Sequence, residues 1–188
     1  MNRFLFLGRE RQFRERTVDL AAITLGHTVL DVGCGTGNLT MAAKIRAGTE
    51  CEVCGIDAAP EMIQKAEQKA AEKQLNIHYQ VGLIEDIPFP DNKFDVVISS
   101  LMLHHLPEDL KRQGIAEISR VLKPGGRFVA VDVDPLLLNN LRIVLEAMRT
   151  NNFIEIRRGR TEFRTMFLLI HYVVGMAKVA RPEGLGIK

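Results

Sequence analysis

The chain has 188 residues, the length of one globular domain, with 46% hydrophobic and 26% charged residues and a net charge of +2. This composition excludes a disordered, collagen-like or low-complexity chain. Three cysteines are too few, and odd in number, for a secreted disulfide framework, and no apolar run approaches the roughly 20 residues that span a bilayer. We therefore predict one cytoplasmic domain over residues 1–188.

Short β-branched runs alternate with helical patterns from Thr28 onward, which is typical of a parallel sheet with crossover helices. Residues 1–27 are predicted as a helical cover that contains the first helix, Arg9–Thr24. The remaining predictions in this region are strands at Thr28–Gly33, Cys51–Asp57, Ile77–Gly82, Phe94–Ser100 and Gly126–Val133, and helices at Ala59–Gln74, Pro107–Leu122 and Pro135–Thr150.

The pattern changes in residues 151–188. Two strand-like runs, Phe153–Arg160 and Met166–Gly175, are separated by a short polar stretch with no room for a crossover helix. We therefore predict that these two strands form an antiparallel pair.

A glycine-rich turn follows the first predicted strand, in the segment Val29–Thr40, VLDVGCGTGNLT. Glycines in such a turn permit positive φ angles and let a ligand approach the backbone closely. A dinucleotide fingerprint would require a third glycine at position 38, where this chain has Asn38. The turn is therefore predicted to bind a ligand without a pyrophosphate.

Asp57 ends the next predicted strand, 20 residues after Gly37. A carboxylate at the tip of that strand can accept hydrogen bonds from both ribose hydroxyls, so the turn and the acid together predict a nucleoside site. The alternative is that Asp57 only caps the helix that begins near Pro60.

These motifs resemble the class I S-adenosylmethionine-dependent methyltransferases, especially the small-molecule branch of ubiquinone and menaquinone biosynthesis. The resemblance implies an α/β, Rossmann-like fold with a seven-stranded, mostly parallel sheet, an antiparallel last strand and helices on both faces. It also implies S-adenosylmethionine as the cofactor, S-adenosylhomocysteine as the product, and methyl transfer to a small molecule by in-line displacement. The ordered blocks that carry it span about residues 29–133: Val29–Thr40, Gly55–Met62, Ile87–Asp95, Leu103–Leu106 and Arg120–Gly126.

The resemblance also implies roles for individual residues. Asp31 would receive the amino group of the methionine portion, Asp57 would hold the ribose, and Ala58 and Met62 would pack against the adenine. The cofactor-binding residues predicted in this way are Asp31, Gly33, Cys34, Gly35, Asn38, Asp57, Ala58, Met62, Leu83, Ile84, Glu85 and Ser99.

This chain departs from its relatives after the third predicted strand, where they often carry Asp or Asn and it carries Leu83. Leu83 cannot accept a hydrogen bond from the adenine amino group, which weakens the binding free energy by about 1 kcal/mol. The backbone amide of Ile84 is still available, and Glu85 or Asp86 could substitute as the acceptor.

The segment Ser99–Leu106 follows the fourth predicted strand and should approach the transferred methyl group, since ligands bind beyond the carboxyl ends of parallel strands. His104 is the predicted general base, because an imidazole can accept a proton at neutral pH. The alternative is that His104 braces the loop before Pro107. Cys51 and Cys54 form a CxxC inside a strand, and no metal site is predicted.

Three other functions stay open: an RNA methyltransferase, a nicotinamide-dependent oxidoreductase, and a noncatalytic S-adenosylmethionine-binding regulatory protein. Residues 135–188 carry +5 and could meet RNA, but a solvated face is the favoured interpretation and the Asn/Asp-Pro-Pro-Tyr/Phe pattern of nucleic-acid amine methyltransferases is missing. The Arg- and Phe-rich N-terminus leaves peripheral membrane contact or a substrate lid open, without a transmembrane segment. The oligomeric state is not specified.

Overall fold

The computed structural model describes residues 8–133, 140–164 and 169–178. A short 3-10 turn, Leu103–His105, precedes α4. The helices and strands are α1 Glu10–Ala21, β1 Val29–Val32, α2 Asn38–Ala47, β2 Val53–Asp57, α3 Pro60–Glu72, β3 His78–Val81, β4 Phe94–Ser100, α4 Glu108–Val121, β5 Leu122–Val133, α5 Asn140–Thr150, β6 Phe153–Arg164 and β7 Leu169–Ala177.

All seven strands belong to one sheet in the order β3-β2-β1-β4-β5-β7-β6. Five neighbouring strands, β3, β2, β1, β4 and β5, run parallel to one another. Strand β7 is antiparallel to both β5 and β6. The predicted sheet is therefore confirmed, including the antiparallel last strand and its pairing with the strand before it.

Both faces of the sheet are covered by helices, as predicted. In β4, Val97 belongs to the cluster that packs against α4, which includes Ile115, whereas Val96 and Ile98 belong to the cluster that includes Phe13 of α1. Successive strand residues point to opposite faces, so a strand buried on both sides reads as a continuous apolar run. The buried pattern of β4 explains why its sequence predicted the sheet interior correctly. No helix in the described residues is both long and apolar enough to cross a membrane.

The observed boundaries differ from the predicted ones in several places. α1 ends at Ala21 rather than Thr24, because Ala22 adopts a left-handed conformation with φ of 49° and its amide bonds back to Asp19. β5 begins at Leu122, which already pairs with Phe94, four residues before the predicted start. β6 continues to Arg164, and β7 ends at Ala177. The beginnings of the predicted helix 135–150 and of the last predicted strand fall in residues 134–139 and 165–168, outside the described residues.

Arg120 of α4 holds the loop between β3 and β4 against the sheet. Its guanidinium donates to the backbone oxygens of Ile87 and Phe89, at 2.9 and 2.8 Å, and to the carboxylates of Asp91 and Glu117. The Glu117 carboxylate in turn accepts a hydrogen bond from the Ile87 amide at 3.0 Å. One side chain thus satisfies several polar groups in the loop that follows Leu83–Asp86.

We expect Arg120→Met to lower the free energy of unfolding by about 2 kcal/mol, because the substitution leaves backbone carbonyls and a carboxylate without their charged donor. Urea denaturation measures the change. Arg112→Met on the same helix is the matched control, since the Arg112 ion pairs with Glu108 and Glu146 are solvent-exposed and should contribute less than about 1 kcal/mol. Equal losses in the two variants would contradict the anchoring role of Arg120.

Candidate active site

A cavity of about 530 Å³ lies at the carboxyl ends of β1, β2 and β4. This volume falls within the range of small-molecule binding sites, and the carboxyl edge is where open α/β sheets bind their ligands. The wall is formed by Phe13, Arg14, Asp31, Gly33, Cys34, Gly35, Thr36, Asn38, Leu39, Asp57, Ala59, Met62, Ser100, Leu101, Met102 and His105.

The glycine turn between β1 and α2 forms the floor of this cavity. Gly33 and Gly35 both have positive φ angles, of 73° and 52°. A Cβ on Gly33 would lie 2.4 Å from Cγ of Met102, whereas a Cβ on Gly35 would meet no heavy atom within 4 Å. The turn is therefore closely packed at position 33 and open at position 35, where a ligand can reach the backbone.

Asp57 connects the turn to the next strand. Its Oδ2 accepts a hydrogen bond from the Gly35 amide at 2.8 Å, and its Oδ1 accepts one from the Ala59 amide at 3.0 Å, directly before α3. Asp57 does not cap α3, because Ala59 is the N-cap residue and no side chain caps the helix there. Each carboxylate oxygen can accept a further hydrogen bond, so these two contacts leave capacity for ribose hydroxyls on the cavity side.

Asp31 lies in β1, between β2 and β4, and is only 1% exposed, although it contributes to the cavity wall. Thr40 of α2 donates a hydrogen bond from its hydroxyl to Asp31 Oδ2 at 2.6 Å. Burial raises the pKa of Asp31 to about 7, the negative charge of Asp57 adds to the shift, and the Thr40 hydrogen bond opposes it. A cation beside Asp31 would stabilise its ionised form.

The structure brings seven of the predicted cofactor-binding residues together around the cavity. They come from the glycine turn, from β1 and β2, and from the first turns of α2 and α3. These residues are Asp31, Gly33, Cys34, Gly35, Asn38, Asp57 and Met62.

Ala58, Leu83, Ile84, Glu85 and Ser99 are not part of the cavity wall. Ser99 is 1% exposed, and its hydroxyl has no hydrogen-bond partner among the described residues. Its neighbour Ser100 lines the cavity instead. The alternation of side chains along a strand is the signal that separates the two serines.

The segment after β3 lies at the margin of the site. Leu83 is 48% exposed and forms an isolated bridge with Asp86, while the side chain of Ile84 is buried. A Cβ on Gly114 of α4 would lie 2.5 Å from the Ile84 side chain, so Ile84 occupies the space that this glycine leaves. Ile84 thus anchors the segment to the core by its side chain.

The two histidines of the 3-10 turn occupy different positions. Asp132 of β5 accepts the His104 backbone amide at 3.0 Å and lies 2.5 Å from His104 Nδ1. His105 lines the cavity, and its ring centroid is 3.8 Å from that of His104. The loop-bracing alternative therefore describes the His104 contacts, while the imidazole nearer the cavity belongs to His105.

The N-terminal segment contributes to this site through α1. The sequence left a membrane contact or a substrate lid open for this segment, and Phe13 and Arg14 of α1 line the cavity, as do Leu101 and Met102 after β4. Phe13 and Thr17, four residues apart, are both buried on the face of α1 that packs against the sheet.

Comparison with known proteins adds independent observations. A family model described as "Methyltransferase domain" matches residues 29–126. A "Demethylmenaquinone methyltransferase" from Deinococcus radiodurans is 39% identical over 138 residues, which cover 72% of this chain and 55% of that protein. A "Ubiquinone/menaquinone biosynthesis C-methyltransferase UbiE" from Geotalea daltonii is 34% identical over 134 residues, which cover 70% of this chain and 56% of that protein. This chain thus spans little more than half the length of either relative.

The solved structure of the [4+2]-cyclase SpnF superimposes on this chain with a TM-score of 0.77 at 20% sequence identity, covering 89% of this chain and 80% of the cyclase. That likeness concerns the fold alone. A cyclase with this architecture shows that the sheet does not specify the reaction, which has to be argued from the site.

We expect Asp31→Asn to change how stability depends on pH. The pKa of Asp31 is about 7 in the folded protein and about 3.9 in an unfolded chain. The folded state therefore binds more protons between these values, and the contribution of Asp31 to the free energy of unfolding falls as the pH rises.

Asparagine does not titrate, so the variant lacks this loss of stability. The free energy of unfolding of the variant should therefore rise relative to that of the wild type between about pH 5 and about pH 8. Urea denaturation at several pH values measures it. Asp109→Asn, on the exposed first turn of α4, is the control and should show no such trend. A difference that is independent of pH for Asp31→Asn would contradict the buried-acid assignment.

Proposed function

Because the chain belongs to the methyltransferase domain family, we propose that it transfers a methyl group from S-adenosylmethionine to a small, largely apolar acceptor of the quinol type. The family membership confirms the resemblance identified from the sequence. The observation that carries the proposal is the convergence of the open glycine turn at Gly35, the Asp57 carboxylate and the buried Asp31 on one cavity.

The residues present fit such a cofactor. The open position at Gly35 admits a ligand against the backbone, and Asp57 retains acceptor capacity for two ribose hydroxyls. Asp31 offers a carboxylate to a cationic amino group, and Met62 provides an apolar wall for the adenine. Ala58, Ile84 and Glu85 would complete the adenine end from the margin of the cavity. S-adenosylmethionine supplies, when bound, a methyl group on a positively charged sulfur.

Methyl transfer requires the protein to align the acceptor with the methyl group and the sulfur. For a hydroxylated acceptor, the protein must also remove one proton. Asp132 fixes the His104 ring at Nδ1, which leaves Nε2 as the nitrogen that can accept a proton. His104 is therefore retained as the proposed base, with Asp132 as its positioning residue. His105 and Met102 form the cavity wall from which the acceptor would approach.

The acceptor class is argued from two sources. The relatives are named for menaquinone and ubiquinone methylation, one of them as a C-methyltransferase. The wall of the cavity contributes Phe13, Leu101 and Met102, which suit an aromatic ring. None of the contacts in the described site requires the basic C-terminal segment to bind RNA.

Isothermal titration calorimetry tests the cofactor. We expect S-adenosylmethionine and S-adenosylhomocysteine to bind and NAD not to bind, and we expect Asp57→Ala to weaken both affinities by about tenfold or more, because two hydrogen bonds to a charged acceptor are lost. Asp109→Ala changes an exposed acid that is not part of the cavity wall, so it is the matched control and should bind as wild type does.

Thermal denaturation of each variant shows whether the loss is one of folding, and Asp57→Asn, which retains one acceptor oxygen, should lie between alanine and wild type. Wild-type binding of NAD, or full affinity in Asp57→Ala, would contradict the proposed site. Binding of S-adenosylmethionine without methylation of 1,4-naphthoquinol or any other quinol acceptor would favour a noncatalytic regulatory protein.

A further inference from the structure

A second, smaller cavity lies beside the first, between the ends of β5 and β7 and the beginning of α5. Its volume of about 20 Å³ leaves room for about one water-sized group. Most of its wall is apolar, and its polar members are Asp132, Asn140 and His171. The wall consists of Leu103, Ala130, Asp132, Val133, Asn140, Leu141, Val144, His171 and Val173.

A buried lysine stands behind this wall. Lys111 of α4 is only 4% exposed, and its ammonium donates a hydrogen bond to Asn140 Oδ1 at 2.6 Å. Asn140 is 5% exposed, and its amide nitrogen Nδ2 has no hydrogen-bond partner among the described residues. Burial lowers the pKa of Lys111, while the charges of Asp132 and Glu108 oppose that shift. A buried donor without an acceptor costs free energy unless a ligand or water supplies the acceptor.

The 3-10 turn Leu103–His105 lies between the two cavities. Met102, directly before the turn, and His105 line the larger cavity, and Leu103 lines the smaller one. Asp132, in the wall of the smaller cavity, is the residue that holds His104. An acceptor that lies across this turn would have its ring at the larger cavity and one substituent at Asn140, in the wall of the smaller one.

We propose that the Lys111–Asn140 pair is the subsite for one oxygen substituent of the methyl acceptor, a phenolic hydroxyl or phenolate. This inference rests on the proposed function and deepens it. Asn140 presents an unpaired amide N–H at the end of an apolar wall, and the Lys111 ammonium holds its other amide atom from behind, a combination that suits an oxygen acceptor carried on an apolar body. The space admits a single oxygen and leaves the ring outside it.

The subsite also suits the electronics of methyl transfer to an aromatic carbon or oxygen. A phenolate ring is a stronger nucleophile than the neutral phenol, and the positive charge of Lys111 favours the phenolate. Asp132, which holds the His104 ring at Nδ1, lines the same small cavity. Lys111 acts on the acceptor through its charge and through the orientation of Asn140.

The test compares 1-naphthol with naphthalene, two probes that differ by one hydroxyl, in the presence of saturating S-adenosylhomocysteine. The wild type should bind naphthol about tenfold more tightly than naphthalene or better. In Lys111→Met and in Asn140→Leu this preference should fall below about threefold, through loss of naphthol affinity with naphthalene affinity unchanged. Lys65→Met, which removes an exposed lysine of α3, should retain the wild-type preference.

Thermal denaturation and S-adenosylhomocysteine titration accompany every variant, and Lys111→Gln, which keeps a donor for Asn140, serves if the methionine variant does not fold. Intact S-adenosylhomocysteine binding with an unchanged naphthol preference in the variants would overturn this inference alone. The same holds if the wild type shows no preference between the probes. Failure of the wild type to bind S-adenosylhomocysteine would overturn the proposed function and this subsite with it.

Discussion

The hydrogen bond from the Gly35 amide to the Asp57 carboxylate joins the tips of two neighbouring parallel strands, and the shape of the larger cavity depends on it. Gly35 can adopt its conformation only because it has no side chain to strain, and Asp57 can reach it only because β1 and β2 end in register, with Val32 beside Ile56. The same carboxylate accepts a hydrogen bond from the amide of Ala59, the residue directly before α3. One acid therefore sets both the floor and one wall of the site.

Much of this arrangement was predictable because it depends on local sequence signals. Continuous apolar runs indicated buried parallel strands, and the glycines and the strand-end acid indicated a nucleoside site. Strand and helix boundaries were less accurate where tertiary contacts decide them: Leu122 joins β5 because Phe94 is there to pair with it. The sequence left a substrate lid open for the N-terminal segment but did not specify which face of α1 meets the cavity, because the docking of a helix on a sheet edge depends on contacts distant in sequence.

The placement of Ser99, His104 and Leu83 shows a second limit. Each was carried over from a pattern of residue types, while the structure places Ser100 rather than Ser99, and His105 rather than His104, in the cavity wall. A shift of one residue along a strand changes the face that a side chain occupies, and no motif records it. Lys111 carried no signal at all, because an isolated lysine in an amphipathic helix is expected at the surface.

The position of β7 between β5 and β6 has a consequence for how the polypeptide reaches its final form. Among the described strands, β6 pairs only with β7. When β6 leaves the ribosome, its pairing partner has not yet been synthesised, so β6 cannot join the sheet until β7 follows. Until residues 169–177 emerge, the long β5 strand presents an open row of backbone donors and acceptors to whatever lies nearby. Completion of the sheet is therefore a late event of synthesis, and the nascent chain is most exposed to mispairing just before it.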